Sequence, residues 1–269
     1  KVVDNETRGR DGVVGVPAGT GKGGGLSVAG DLVAVNSEIS GNLAMGGAAG
    51  AACDPVGGYL YGGGASGGGA HVDGAVSLTQ SLVADNRALS NFGEPTCSYL
   101  YGQAGNVAGG GVSGSSMTVD RSQVLRNHAL AGPLGAKTSY IGHIAGGGIS
   151  ASKAARISDS TFGQNRAEAS SYGYTYGSAA YSYEAMVVER STFAGNNVFS
   201  AYVLGVPVEG GTVSSATSVS ATNTTFAANT STSTPGTPQV VTISSARIDL
   251  VHVTVEGDDG AFLLGFDDL

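Results

Sequence analysis

Residues 160–165 read STFGQN, residues 191–196 read STFAGN and residues 224–229 read TTFAAN. The same form, a hydroxyl residue, any residue, Ile, Val or Phe, any two residues, then Asn, occurs earlier as SEISGN ending at Asn42, SLVADN at Asn86 and SQVLRN at Asn127. VTVEGD, ending at Asp258, is a degenerate copy, and VVDN at the start reads as the tail of another, so the chain is expected to enter in mid-coil. A unit recurring every few tens of residues is the mark of a repeat architecture.

Upstream of the first four of these asparagines stands a glycine triplet: 23–25, 67–69, 109–111 and 146–148. Its last glycine always precedes the Asn by 16 or 17 residues, whereas the spacing between successive asparagines runs 44, 41, 38, 31 and 33 residues. One part of each repeat is therefore constant, and the part from each Asn to the next triplet carries the variation.

Counting back from the Asn exposes three apolar columns. Three residues before it stand Ile39, Val83, Val124, Phe162, Phe193, Phe226 and Val255; eight before, Ala34, Leu78, Val119, Ile157, Val188, Ala221 and Leu250; ten before, Leu32, Val76, Met117, Ala155, Met186, Val219 and Ile248. Period-two alternation puts the last two columns on one face of a short strand, and the jump to the first requires a turn between two strands. Such strands cannot bury an apolar face alone, but stacked about 4.8 Å apart in parallel they form a continuous core. Leucine-rich repeats would need a helical segment and several leucines per repeat, and neither is present. The expected fold is all-β: a right-handed, single-stranded parallel β-helix (β-solenoid) of about seven coils, one domain over residues 1–269, with long Gly/Tyr-rich loops on one side.

Composition agrees with an ordered repeat. The 46 glycines follow no strict three-residue period, which excludes collagen. A net charge of -8 with few Lys and Arg excludes a nucleic-acid partner and disfavours an anionic membrane. No apolar run of about 18 residues exists to span a bilayer, and KVVDNETRGR has no apolar segment of signal-peptide type.

Asn42, Asn86, Asn127, Asn165, Asn196 and Asn229 form a structural column. An Asn there suits a turn residue in the left-handed conformation, and stacked amides can hydrogen-bond along the axis. The glycosylation signals at Asn5, Asn223 and Asn229 are secondary to that role. Ser37, Ser81, Ser122, Ser160, Ser191 and Thr224 read as a hydroxyl ladder, since a catalytic serine would be one residue with a base rather than six in file. Arg121, Asp159 and Arg190 share the next column, where opposite charges in neighbouring coils act as register devices on a solvated turn.

Cys53 and Cys97 lie at the same offset past Asn42 and Asn86, so they should stack as neighbours at a separation that a disulfide spans, in an oxidising, extracellular setting. No histidine shares their column; His71, His128, His143 and His252 fall at unrelated offsets, so neither a metal nor a cofactor is expected. The variable side carries Tyr59, Tyr61, Tyr99, Tyr101, Tyr140, Tyr172, Tyr174, Tyr176, Tyr181 and Tyr183. Tyrosine in glycine-rich loops on a rigid scaffold makes a recognition surface, with Tyr59, Tyr61, Tyr99, Tyr101, Tyr140, Tyr174 and Tyr176 as the candidate binding residues. The alternative is that the rings stack on one another to cover backbone.

GGG, an apolar strand and then S-x-[IVF]-x-x-N together resemble the secreted right-handed parallel β-helix proteins of the pectate-lyase-like superfamily, in particular its noncatalytic surface proteins and adhesin passengers. The resemblance covers nearly the whole chain and implies the fold, while this architecture hosts lyases, hydrolases, adhesins and filaments alike. Lyases of that superfamily use a calcium cluster of carboxylates beside an Arg or Lys base, and glycosidases use facing carboxylates. Here the acids are dispersed; the best residual catalytic group is Asp120 with Asp159 and Arg121 or Arg156. Two functions follow: an extracellular structural or adhesive solenoid, and a polysaccharide lyase or glycoside hydrolase. Neither end shows a capping helix, and GAFLLGFDDL is an apolar edge, so head-to-tail stacking into a filament is expected of the first, the alternative being a longer passenger that continues the helix, with polysaccharide or cell-surface components as further partners.

Overall fold

The computed structural model describes residues 1–13, 16–49, 60–91, 102–131, 142–169, 174–200, 211–233, 241–257 and 262–265. These residues form strands and turns without a helix, and every pairing between the named strands is parallel. One circuit shows the plan. The chain runs through Val107–Ala108, Val112–Gly114, Met117–Asp120, Gln123–Leu125 and His128–Ala131, then returns at Ile144–Ala145 beside Val107–Ala108. Each of these five segments belongs to its own sheet, with 5, 8, 7, 8 and 7 strands in circuit order. The arrangement is that of a parallel β-solenoid.

Registers follow the sequence columns. Val2, Ile39, Val83, Val124, Phe162, Phe193, Phe226 and Val255 pair one above the next through the fourth sheet. Met117 pairs with Val76 and Ala155, and Val119 with Leu78 and Ile157, in the third. Phe162, Phe193 and Phe226 are 0% exposed, and their rings stack at centroid distances of 5.0 and 5.1 Å. The main core fills the space between the second, third and fourth sheets. A smaller one, built of Ala65, Ala88, Val107, Ala129, Ile144 and Ala167, lies between the first and fifth.

The glycine triplet and the asparagine meet where the two cores join, which explains their fixed spacing. A Cβ on Gly111 would lie 3.0 Å from the Asn127 side-chain Cγ and 2.9 Å from Val83. The first glycine of the triplet turns the chain with positive φ, +61° at Gly109 and +57° at Gly177. In the 177–179 coil only that glycine persists, because a side chain is rarely accommodated in its conformation.

The asparagine column is an amide ladder buried along the axis. Asn86 Oδ1 accepts from the backbone N–H (3.0 Å) and the Nδ2 (2.9 Å) of Asn42, and Asn86 Nδ2 donates to Asn127 Oδ1 (2.9 Å) and the Ile39 carbonyl (2.9 Å). The pattern continues through Asn127, Asn165, Asn196 and Asn229 and reaches back to Asn5, so VVDN does occupy a repeat position. One expectation is corrected: these asparagines do not take the left-handed conformation. Positive φ falls on the residue before (Asp85, Arg126, Gln164, Gly195, Ala228) and on the column six before (Gln80, Arg121, Asp159, Arg190). The asparagine must aim its amide inward and its N–H up the stack, so the turn is taken one residue earlier.

The serine column forms a second ladder. Its hydroxyls accept from the backbone N–H of the preceding coil, as Ser122 Oγ does from Ser81 (3.0 Å), and donate to the carbonyl two residues back, as Ser122 does to Asp120 (2.8 Å). Cys53 and Cys97 lie outside the described residues.

Candidate functional site

Alternation decides which side chains leave the core. Around the glycine corner between the first and second sheets, Ala65, Ala70 and Val72 are buried, so Ser66, His71 and Asp73 face outward. The outward pair changes from coil to coil in strict register: Lys22 and Ser27, Ser66 and His71, Ala108 and Ser113, Ala145 and Ser150, Tyr176 and Tyr181. The two arms converge, since Ser66 Oγ reaches His71 Nδ1 at 3.0 Å and the rings of Tyr176 and Tyr181 approach to 5.5 Å. Ser113 and Ser150 are only 5% and 7% exposed although they face outward, as expected on the floor of a concave corner.

At one end of this corner stands a polar group. His71 Nδ1 lies 3.0 Å from both Ser66 Oγ and Ser113 Oγ, which are 2.8 Å from each other, and His71 Nε2 lies 3.1 Å from Asp73 Oδ1. An ionised carboxylate only accepts, so Nε2 carries the proton and the Nδ1 lone pair faces the hydroxyls. Burial, then the charge of Lys22, hold the imidazole below its ordinary pKa, against the opposing pull of Asp73.

At the other end the corner is aromatic. His143 and Tyr174, one above the other in adjacent coils, stack at 5.3 Å and 15°, and Tyr174 and Tyr176 lie 6.2 Å apart at 14°. Tyr181 adds its ring through Tyr176, and Tyr183, two residues on, is 61% exposed. Burial, reinforced by Tyr183, raises the Tyr181 phenol above its ordinary pKa. Between the two ends lie the small side chains of Ala108, Ser113, Ala145 and Ser150.

The residual catalytic group from the sequence is an ion-pair lattice. Asp120 accepts from Arg121 (2.8 Å) and Ser158 (2.9 Å), Asp159 binds Arg190 through both oxygens (2.8 and 2.7 Å), and Arg156 donates to Glu189 (2.9 Å). Arg121 thus pairs with its neighbour Asp120, while the cross-coil pair of its column is Asp159 with Arg190. Arg121 and Ser158 hold Asp120, and Arg190 holds Asp159, below the usual carboxylate range.

Of the tyrosines read as binding residues, the structure brings Tyr174 and Tyr176 together with His143 and Tyr181. Tyr59, Tyr99, Tyr101, Tyr140 and the side chain of Tyr61 lie outside the described residues. Ser66, His71, Asp73 and Ser113 escaped the sequence reading because their offsets from the asparagine are unremarkable. The usable signal was local: in SGGGAHVD the triplet folds Ser66 back onto His71. The chain matches no protein family, and comparisons with curated proteins and with solved structures find no match.

Proposed function

We propose that this chain is an extracellular structural or adhesive solenoid, right-handed and of about seven coils, whose binding face is the glycine corner and whose ligand is a neutral or weakly charged polysaccharide. The observation that carries this reading is the aromatic stack of His143, Tyr174, Tyr176 and Tyr181 beside a floor of Ala108, Ser113, Ala145 and Ser150. Ring faces offer apolar area to the C–H face of a sugar, phenol and serine hydroxyls offer directed hydrogen bonds, and Tyr loses little entropy on binding. Coils repeat about every 4.8 Å, so the two small-residue coils make a floor on the scale of one or two sugar rings. The expected Cys53–Cys97 bridge and the resemblance to secreted β-helix proteins support the location.

Self-association is the second part of the proposal. Leu26, Val28 and Leu32, and Ile248, Leu250 and Val253, pack against the core while only partly buried, so a second copy stacked head to tail on the described coils would find apolar surface to cover. Sedimentation at rising concentration should show growing rods, and a monomer at every concentration would remove this part.

Of the alternatives, a glycoside hydrolase asks for a carboxyl group that keeps a proton to give to the leaving group, and Asp120 and Asp159, both held ionised by arginine, do not supply it. A polysaccharide lyase asks instead for ionised carboxylates free to gather a cation, whereas here Asp120 is engaged by Arg121 and Ser158 and Asp159 by Arg190. Affinity electrophoresis through gels containing dissolved polysaccharides tests the binding proposal. Retardation by at least one polysaccharide, lost in Tyr176→Ala, is expected; migration indifferent to every polysaccharide would overturn it. An assay for unsaturated uronates and reducing ends on the same polysaccharides separates the enzyme reading.

A further inference from the structure

The geometry points to an ester-hydrolysing site at the other end of the corner, with Ser66 as nucleophile, His71 as general base and Asp73 as the residue that positions the imidazole. The constellation meets the requirements of an activated hydroxyl: a serine Oγ at 3.0 Å from an imidazole nitrogen whose opposite nitrogen, 3.1 Å from a carboxylate, is held by it. Ser113, also 3.0 Å from Nδ1 but almost fully buried, is the less accessible of the two hydroxyls and holds Ser66 in place through their 2.8 Å contact. Lys22 pairs with Ser66 in the adjacent strand and its charge is felt at His71, so a cation borders the hydroxyl and would favour negative charge developing there.

The substrate class is a carboxylic ester, of which one with a small acyl group fits beside the small side chains of Ala108, the strand partner of Ser66, and Ser113. Ser66 Oγ bonds to the acyl carbon as its proton passes to His71 Nδ1. The intermediate collapses by breaking the bond to the alcohol oxygen, which leaves with that proton. Water then adds to the acyl carbon, giving its proton to Nδ1, and the bond to Ser66 Oγ breaks as Oγ takes the proton back. Ester and water become acid and alcohol, and the chain is restored. Ser66, His71 and Asp73 are distinct from the tyrosine stack, while Ala108 and Ser113 also belong to the proposed floor; because the test uses a substrate and a probe without a sugar, its failure is distinguishable from a failure of polysaccharide binding.

The test uses the full chain with 4-nitrophenyl acetate as substrate and diisopropyl fluorophosphate as covalent probe, the adduct being mapped by mass spectrometry. Expected are a phosphoryl adduct on Ser66, hydrolysis lowered about 100-fold or more in His71→Ala, and loss to background in the Ser66→Ala/Ser113→Ala double variant, which also blocks substitution of one serine by the other. Rate against pH should rise through a single ionisation below about 6.5. Lys22 and Asp73 are the charged groups acting on His71 among the described residues, and Asp73→Asn, which removes the group raising that ionisation, should move it lower still while reducing the rate. Native hydrolysis equal to that of the double variant would overturn the assignment, as would an adduct on tyrosines with none on Ser66 or Ser113.

Discussion

Two corners of the same coil behave oppositely. Where the fourth sheet turns into the fifth, coil after coil presents the same inward phenylalanine or aliphatic residue and the same asparagine, each bonded to its counterpart above and below. At the glycine corner the backbone is just as regular, yet the outward residues change from Lys22 and Ser27 to Ser66 and His71, then to small residues, then to Tyr176 and Tyr181. A register fixed at one corner frees the other to carry chemistry, since stacking there is already secured by backbone hydrogen bonds and by ladders elsewhere in the coil.

The largest effects should come from breaking the constant corner. Phe193→Ala, in the middle of the stacked rings, should cost about 3–5 kcal/mol in denaturant unfolding, as the cavity cannot collapse against two neighbouring coils. Asn165→Ala should cost about 2–4 kcal/mol, because it removes the acceptor shared by the Asn127 backbone N–H and Nδ2, leaving that amide only its bond to the Val83 carbonyl, and removes a donor to the Val124 carbonyl in a dry interior. By contrast, Tyr176→Ala at the variable corner should change unfolding by roughly 1 kcal/mol or less.

Smaller and more informative is the response to acid. Burial is the main reason that His71 and His128 are held below their ordinary pKa of 6.5, with Lys22 adding to it at His71 and Arg166 and Arg87 at His128. The unfolded chain therefore binds protons more readily than the folded one as pH drops below about 6.5, and thermal stability should decline from there. Asp120 and Asp159 behave differently: their contribution is intact above their ordinary 3.8 and is lost only as pH falls further, through their lower folded values. Acid unfolding should show two separable losses, and His128→Asn should weaken the first. A melting temperature flat from pH 8 to 5 would contradict this. The smallest effect belongs to the surface lattice: Arg190→Ala should leave unfolding nearly unchanged, and even less changed at high salt, because the pair with Asp159 is exposed.

The ease with which the scaffold could be read from sequence follows from the same contrast. Phe162, Phe193 and Phe226 recur because each must fill the same slot, so counting back from Asn finds the core and the pairing register directly. The mistaken backbone conformation of the asparagines came from judging a residue by its type. Asn is a common left-handed residue, but here its amide is committed to the ladder and the turn falls to Asp85, Arg126 or Ala228, which have little in common. The corner was hardest to read because its function rests on differences between coils. His71 becomes informative only once the glycine turn sets it against Ser66 and the stacking sets it against Ser113, 42 residues away. Tyr174 and Tyr176 were legible as a pair, whereas the part of His143 in the stack depends on its place directly beside Tyr174 in the neighbouring coil.

A direct test of the division between a constant scaffold and a diversified corner compares polysaccharide binding by three proteins under identical conditions: the native chain, Tyr176→Ala, and Thr192→Ala, whose threonine faces outward beside Phe193 on the fourth sheet. Native and Thr192→Ala should be retarded equally in affinity electrophoresis, and Tyr176→Ala should run as in a gel without polysaccharide. Equal migration of all three in every gel, or loss of binding in Thr192→Ala with retention in Tyr176→Ala, would contradict the account.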